Sequence, residues 1–206
     1  MPFSTDTQWP QGLLDIFGFH RTQKYRPMEY LYFGPYIKLL NYALAEDFFT
    51  FLITPRTTYK ESIPRHGDYV DGPFTNFLVV MNKEHKPVLF AEINSDGWVN
   101  RSYDRKNADT QMRRRFNLML HECPIPRLYG LSLMGTSLRI YFGDKATCKI
   151  TPQFAPDPEW DITPSGYLQG QWNLDILSPD GLSKMQEIIG YIKAEVEAAN
   201  VVGSEV

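Results

Sequence analysis

Residues 74–94 have the sequence FTNFLVVMNKEHKPVLFAEIN, in which two apolar runs flank a short polar segment. The runs predict two β-strands, Phe74–Met81 and Pro87–Asn94, and the segment Asn82–Lys86 has the length of an ordinary hairpin loop. Neither run alternates apolar with polar residues, so both faces of these strands should be covered. The stretch therefore predicts a hairpin in the interior of a sheet.

The segments around this hairpin predict helices and further strands. Apolar residues recur every three or four positions over Pro35–Leu52 and Asp104–Glu122, which predicts two helices. Threonine, tyrosine and isoleucine favour a strand over Thr54–Ile63. Further along we expect strands at Arg127–Leu133 and at Ser137–Phe142 (with Leu138, Ile140 and Phe142 inward), short extensions at Cys148–Thr151 and Trp172–Leu177, and a last helix from Pro179.

This order of elements predicts the fold class and the domain organisation. We expect an α/β (α+β) fold with a central mixed sheet of about four to six strands flanked by helices. A chain of 206 residues fits one domain. Residues 1–34 are aromatic-rich and aperiodic, and should pack on the domain as an arm. Residues 35–206 should form the domain itself, with its core in 35–143 and a C-terminal extension and helix in 144–200.

Composition excludes several classes of protein. With 43% hydrophobic and 22% charged residues, the chain is neither disordered nor fibrous. The sequence shows no secretory signal pattern and no apolar stretch long enough for a membrane span, so we expect a cytoplasmic or nuclear protein that does not enter membranes. Cysteine spacing leaves open whether Cys123 and Cys148 form a disulfide.

A basic segment stands out in a chain of net charge −3, because residues 101–115 hold six basic and two acidic residues. Such a segment could bind the phosphates of DNA or RNA. The candidate contacts are Arg101, Lys106, Arg113 and Arg114. It could equally be a solvated helix face, and Asp109 and Arg113 have the i,i+4 spacing of an ion pair.

The strongest candidate for chemistry is Glu92, which lies between apolar residues near the end of the second hairpin strand. A carboxylate at the end of a buried strand must be paired, protonated or bound to a metal. With Asp71, which precedes the first strand, Glu92 could form an oxygen-rich site for Mg²⁺ or Mn²⁺ that polarises a phosphoryl oxygen. The alternative is a salt bridge to Arg113 or Arg115 on the following helix. Nucleotide-binding glycine loops and zinc-ligand spacings do not occur in the sequence.

The order helix, strand, hairpin, helix and strand, with Glu92 closing the hairpin, resembles the αβββαβ core of the PD-(D/E)XK nuclease superfamily, which has the restriction-endonuclease-like fold. The similarity covers residues 35–143, and the chain most resembles fungal proteins of this type. It implies that Asp71 and Glu92 bind Mg²⁺ or Mn²⁺, with Glu46 on the first helix as a further acidic ligand. It also implies that Gln111, Arg113 or Arg114 contacts the scissile phosphate.

Two positions depart from the family's pattern. Asn94 stands where the family has the lysine that orients the attacking water, and an amide has no charge to stabilise the transition state. The acidic position is either Asp71 or Asn76, depending on whether the preceding loop folds back to the strand. We therefore expect a domain of nuclease ancestry whose Mg²⁺-dependent phosphodiesterase activity is weak or lost. The alternative is a non-catalytic module that binds nucleic acid or a protein on the same fold.

Overall fold

The computed structural model of the chain describes residues 3–22, 29–44, 50–57, 76–156 and 163–203. Its α-helices are α1 (Gln11–Thr22), α2 (Phe33–Ala43), α3 (Ser102–Met119) and α4 (Pro179–Gly203). Its strands are β1 (Phe51–Thr57), β2 (Asn76–Asn82), β3 (Pro87–Asn94), β4 (Arg127–Met134), β5 (Ser137–Asp144), β6 (Ile150–Thr151) and β7 (Leu174–Asp175). The predicted α/β class with a mixed sheet is confirmed.

All seven strands belong to one mixed sheet, against the four to six predicted. Their order is β1-β2-β3-β4-β5-β6, and β7 pairs with β5 on the same side as β6. Only β3 and β4 run parallel among these pairs, and α3 connects them because parallel neighbours need a crossover. The helix is thereby placed over the middle of the sheet.

The predicted hairpin lies inside this sheet. β3 spans the residues predicted for it, β2 is shifted slightly to Asn76–Asn82, and every residue of β3 is buried. The side chain of Asn82 closes the turn, because its Oδ1 accepts hydrogen bonds from the backbone N–H groups of Glu84 and Lys86 at 3.1 and 2.9 Å. Burial on both faces explains the absence of alternation in the two runs.

Helices cover the two faces of the sheet. On one face, Phe90 of β3 contacts Phe116 of α3 with ring centroids 4.9 Å apart. Gly130 of β4 lies under the same helix, where a Cβ atom would come within 2.6 Å of the Met112 side chain. On the other face, Tyr129 contacts Tyr191 of α4 at 5.6 Å, and α2 packs against both α4 and α1. The chain therefore forms three layers with β3 and β4 in the centre.

The first 34 residues contain structure that the sequence did not predict. They include helix α1 and the start of α2, although they lack a clear apolar period. Phe17 of α1 is completely buried in the main core cluster. The indole of Trp9 donates a hydrogen bond of 2.8 Å to the backbone carbonyl of Ile176. This segment thus packs on the same core as the sheet.

One prediction of local structure was wrong and another was incomplete. The helix predicted over Pro35–Leu52 ends at Ala43, and Phe51 and Leu52 belong to β1, where Phe51 pairs with Asn82. Their spacing fits a helix, but pairing with β2 decides the outcome, since tertiary contacts override local preference. In β5, Leu138, Ile140 and Phe142 pack in or against the core as predicted. Arg139 and Tyr141 on the other face are buried as well, because α3 covers that face.

The two cysteines are both free, so the open question of a disulfide is answered. Cys123 is buried and Cys148 is exposed, and burial raises the pKa of the Cys123 thiol. Among the described residues, no helix has both the length and the apolarity that crossing a bilayer requires.

Candidate functional site

Glu92 points from β3 toward α3. Side chains two positions apart on a strand lie on the same face, and Phe90 contacts Phe116 of α3. The Glu92 side chain is 0% exposed, as predicted for a carboxylate at the end of a buried strand. Its negative charge therefore needs a partner inside the protein.

Arg115 of α3 is that partner. Its Nε lies 3.2 Å from Oε2 of Glu92, and its side chain is only 6% exposed. The guanidinium carbon also lies 4.0 Å from the ring centroid of Phe77, so the aromatic face stabilises the same cation. Of the two salt-bridge partners considered from the sequence, Arg115 rather than Arg113 neutralises Glu92.

The two amide candidates lie close to this ion pair. Asn94 is two residues beyond Glu92 on the same face of β3 and is completely buried. Its backbone carbonyl accepts a hydrogen bond of 2.9 Å from the N–H of Gly135 in the β4–β5 turn. Gln111 is half-buried on α3, one helical turn before Arg115. The structure thus places Glu92 and Asn94 under α3, the helix that carries Gln111.

The remaining acidic candidates cannot be placed in this site. Glu46 and Asp71 lie outside the described residues. Asn76 is the first residue of β2. Among the residues that the structure describes, no three His, Cys, Asp or Glu side chains form a group able to hold a metal ion.

Three of the six basic residues in the segment 101–115 make contacts inside the fold. The guanidinium of Arg105 is buried and donates to the backbone carbonyls of Val99, Ser165 and Tyr167 at 2.6–2.8 Å. Arg115 is paired as described. Arg113 is 14% exposed, and its Nε donates to Asp109 at 2.8 Å. These arginines attach α3 to its surroundings.

The other basic residues lie nearer the surface. The Arg101 side chain is 66% exposed and forms an ion pair of 2.6 Å with Asp104. Lys106 is half-buried and Arg114 is exposed. Of the four candidates for phosphate contacts, Arg101 and Arg114 are therefore the most accessible to solvent. Arg113 makes the most hydrogen bonds inside the protein.

A second buried charge cluster was only partly foreseen. The predicted pair of Asp109 and Arg113 is present, but Oδ1 of Asp109 also accepts hydrogen bonds from Arg139 at 3.1 Å and from the Tyr141 hydroxyl at 2.8 Å. Burial, together with the charge of Asp109, raises the pKa of Tyr141. The i,i+4 spacing in the sequence indicated Arg113 as a partner of Asp109. Arg139 and Tyr141 could not be found in this way, because their position depends on the register of β5 in the sheet.

The ion pair of Glu92 and Arg115 and the cluster around Asp109 meet the sheet at neighbouring residues of one cross-strand row. Phe77, Glu92, Ser132 and Arg139 are opposite one another on four adjacent strands, so their side chains share the face under α3. Ser132 Oγ accepts a hydrogen bond of 3.1 Å from the indole of Trp172. The helix is thus fixed to the sheet by buried polar contacts at β3 and at β5.

Comparisons of the chain with protein-family models, with curated proteins and with solved structures give no match.

Proposed function

We propose that this chain is a PD-(D/E)XK-like domain of nuclease ancestry that has lost Mg²⁺-dependent phosphodiesterase activity and acts as a nucleic-acid-binding module. The order α2, β1, β2, β3, α3, β4 supports this proposal, because it is the αβββαβ succession that the resemblance implies. Glu92 on β3 faces α3, the helix that carries Gln111, and the resemblance gives a role to each of these two residues.

The ion pair of Glu92 and Arg115 carries the proposal that catalysis is lost. A divalent cation at Glu92 would have to displace a guanidinium that is itself buried and in contact with Phe77. Separating a buried ion pair leaves uncompensated charge in a medium of low dielectric constant, which costs about 3–5 kcal/mol. The described residues therefore do not fit a Mg²⁺ or Mn²⁺ site, and Arg115 supplies the positive charge that a metal would supply.

The proposed nucleic-acid contacts are the accessible cations of the basic segment. Arg101 and Arg114 extend into solvent from the beginning and the second half of α3, and Lys106 lies between them along the helix. Arginine and lysine at a surface attract phosphates without reading sequence, with an affinity that falls steeply with salt. We therefore propose weak, salt-dependent and sequence-independent binding.

A cleavage assay tests the loss of catalysis. Single-stranded and duplex DNA and RNA are incubated with the protein in Mg²⁺ or Mn²⁺, and wild type is compared with Glu92→Gln and Asn94→Lys. We expect no cleavage above background in any of the three, since Arg115 still holds the carboxylate in Asn94→Lys. Metal-dependent cleavage by wild type that disappears in Glu92→Gln would refute the proposal.

A binding assay tests the module function. Fluorescence anisotropy of labelled oligonucleotides at low salt is compared between wild type and the double variant Arg101→Ala, Arg114→Ala. The control is Lys38→Ala, Lys184→Ala, which removes the same charge from α2 and α4. We expect the α3 variant alone to weaken binding and to reduce the salt slope by about two. Equal effects of both variants would show that binding does not depend on the basic segment, and no binding by wild type would favour a protein partner instead.

A further inference from the structure

Asn94 carries an unusual buried amide. Its side chain is 0% exposed, and among the described residues neither Nδ2 nor Oδ1 has a hydrogen-bond partner. The comparable residue Asn82 is also buried, but its Oδ1 accepts two backbone hydrogen bonds. Buried polar side chains in native proteins almost always have partners, including ordered water. The amide of Asn94 therefore points to a bound molecule.

Gln111 lies on the helix that covers this part of β3. Residues 108, 111 and 115 share one side of α3, since they follow the i, i+3, i+7 spacing. Ala108 belongs to the same hydrophobic cluster as Met134, which is paired directly with Asn94 in the sheet, and Arg115 binds Glu92. Gln111 lies between Ala108 and Arg115 along the helix, which puts it at the level of the end of β3. Its Oε1 is likewise buried and without a partner among the described residues.

These atoms define the chemistry of the ligand. Asn94 offers N–H donors at Nδ2 and an acceptor at Oδ1, and Gln111 adds a second acceptor at Oε1. An anion could accept from Nδ2 but could not donate to the two oxygens, and a cation could not accept from Nδ2. Water donates twice and accepts twice, and it is small enough for the space between a strand and a packed helix.

We propose that Asn94 and Gln111 bind an ordered, buried water molecule between β3 and α3. The water accepts a hydrogen bond from Nδ2 of Asn94 and donates one to Oε1 of Gln111, so it gives one polar atom of each amide a partner. This inference uses hydrogen-bonding capacity alone and does not depend on the proposed nuclease ancestry or on nucleic-acid binding.

NMR of the wild-type protein gives a direct test. Cross-relaxation between water and the Asn94 side-chain amide protons should show the sign of a water molecule that stays bound for longer than the protein takes to tumble. The same signal should be missing at the amide of Asn41, which is on the exposed side of α2 and donates to the Ile37 carbonyl. Absence of the signal at Asn94 would overturn the proposal.

Unfolding of variants gives an independent test. Asn94→Leu removes both polar atoms of the side chain. The ratio of unfolded to folded protein should rise about tenfold, because the water loses its partner at Asn94 and Oε1 of Gln111 is left without the water. Gln111→Leu should add little further loss in the Asn94→Leu background, since both residues bind the same water. An Asn94→Leu protein as stable as wild type, or strictly additive losses, would show that no shared water is bound.

Discussion

Removing the guanidinium of Arg115 should cost the protein much of its stability. In Arg115→Met the long apolar stem is kept, but Glu92, which is 0% exposed, loses the guanidinium that lies 3.2 Å from its carboxylate. Breaking a buried pair from one side typically costs about 3–5 kcal/mol. The lost contact with the ring of Phe77 at 4.0 Å adds about 1 kcal/mol. We therefore expect the free energy of unfolding at neutral pH to fall by about 4–6 kcal/mol.

Urea unfolding followed by circular dichroism measures this loss. Protonation of Glu92 removes the buried charge that Arg115 balances in wild type, so in Arg115→Met the loss of stability should become smaller as the pH is lowered. Adding Glu92→Gln should restore part of the stability at neutral pH, because no buried charge is then left over. The matched control is Arg114→Met, the neighbouring exposed arginine, which should change the free energy by less than about 0.5 kcal/mol.

Two results would refute this reasoning. If Arg115→Met lost no more stability than Arg114→Met, the ion pair would not neutralise Glu92 in solution. If the loss were large but independent of pH and unaffected by Glu92→Gln, the cost would come from packing around Phe77 rather than from charge.

Three further outcomes follow from other parts of the structure. Asp109→Asn should lower the free energy of unfolding by about 3–5 kcal/mol in urea, because it leaves the buried Arg139 and the partly buried Arg113 without this carboxylate. Burial, with the hydrogen bond to Asp6 and the charge of that residue, raises the pKa of Tyr42 to about 12. Stability from this phenol is thus present below pH 10.0 and lost as the pH rises through about 12, and Tyr42→Phe should remove one tyrosine from the step near pH 12 in the ultraviolet titration. Gly130→Ala should destabilise the chain by about 1–3 kcal/mol in thermal melts, since its Cβ would overlap the Met112 side chain.

Most of the sheet could be predicted because its signals are local. The polar segment before Pro87 and the apolar run after it indicated the bounds of β3, and the apolar period together with Pro124 and Pro126, which follow the helix, indicated α3. The end of α2 could not be predicted in this way. Phe51 satisfies a helical spacing, and only its pairing with Asn82 on a distant strand makes it part of β1.

The candidate site, like the sheet, could be predicted where its signals are local and could not be predicted where it depends on residues far apart in sequence. The burial of Glu92 was predicted from its apolar neighbours, and a salt bridge to an arginine of the following helix was the alternative to the metal site that the sequence favoured. The cluster around Asp109 needed the register between β4 and β5 to bring Arg139 and Tyr141 under α3. That register depends on contacts between elements of the fold, and a local sequence pattern cannot predict it.

Manganese binding by wild-type protein tests most directly whether Arg115 has taken the place of a metal at Glu92. Titration with Mn²⁺ followed by electron paramagnetic resonance counts the bound ions in wild type and in Glu92→Gln. We predict the same weak binding in both proteins, because the Glu92 carboxylate is already paired inside the fold. A site filled in wild type and lost in Glu92→Gln would contradict the account, since it would show that the carboxylate is free to hold a metal.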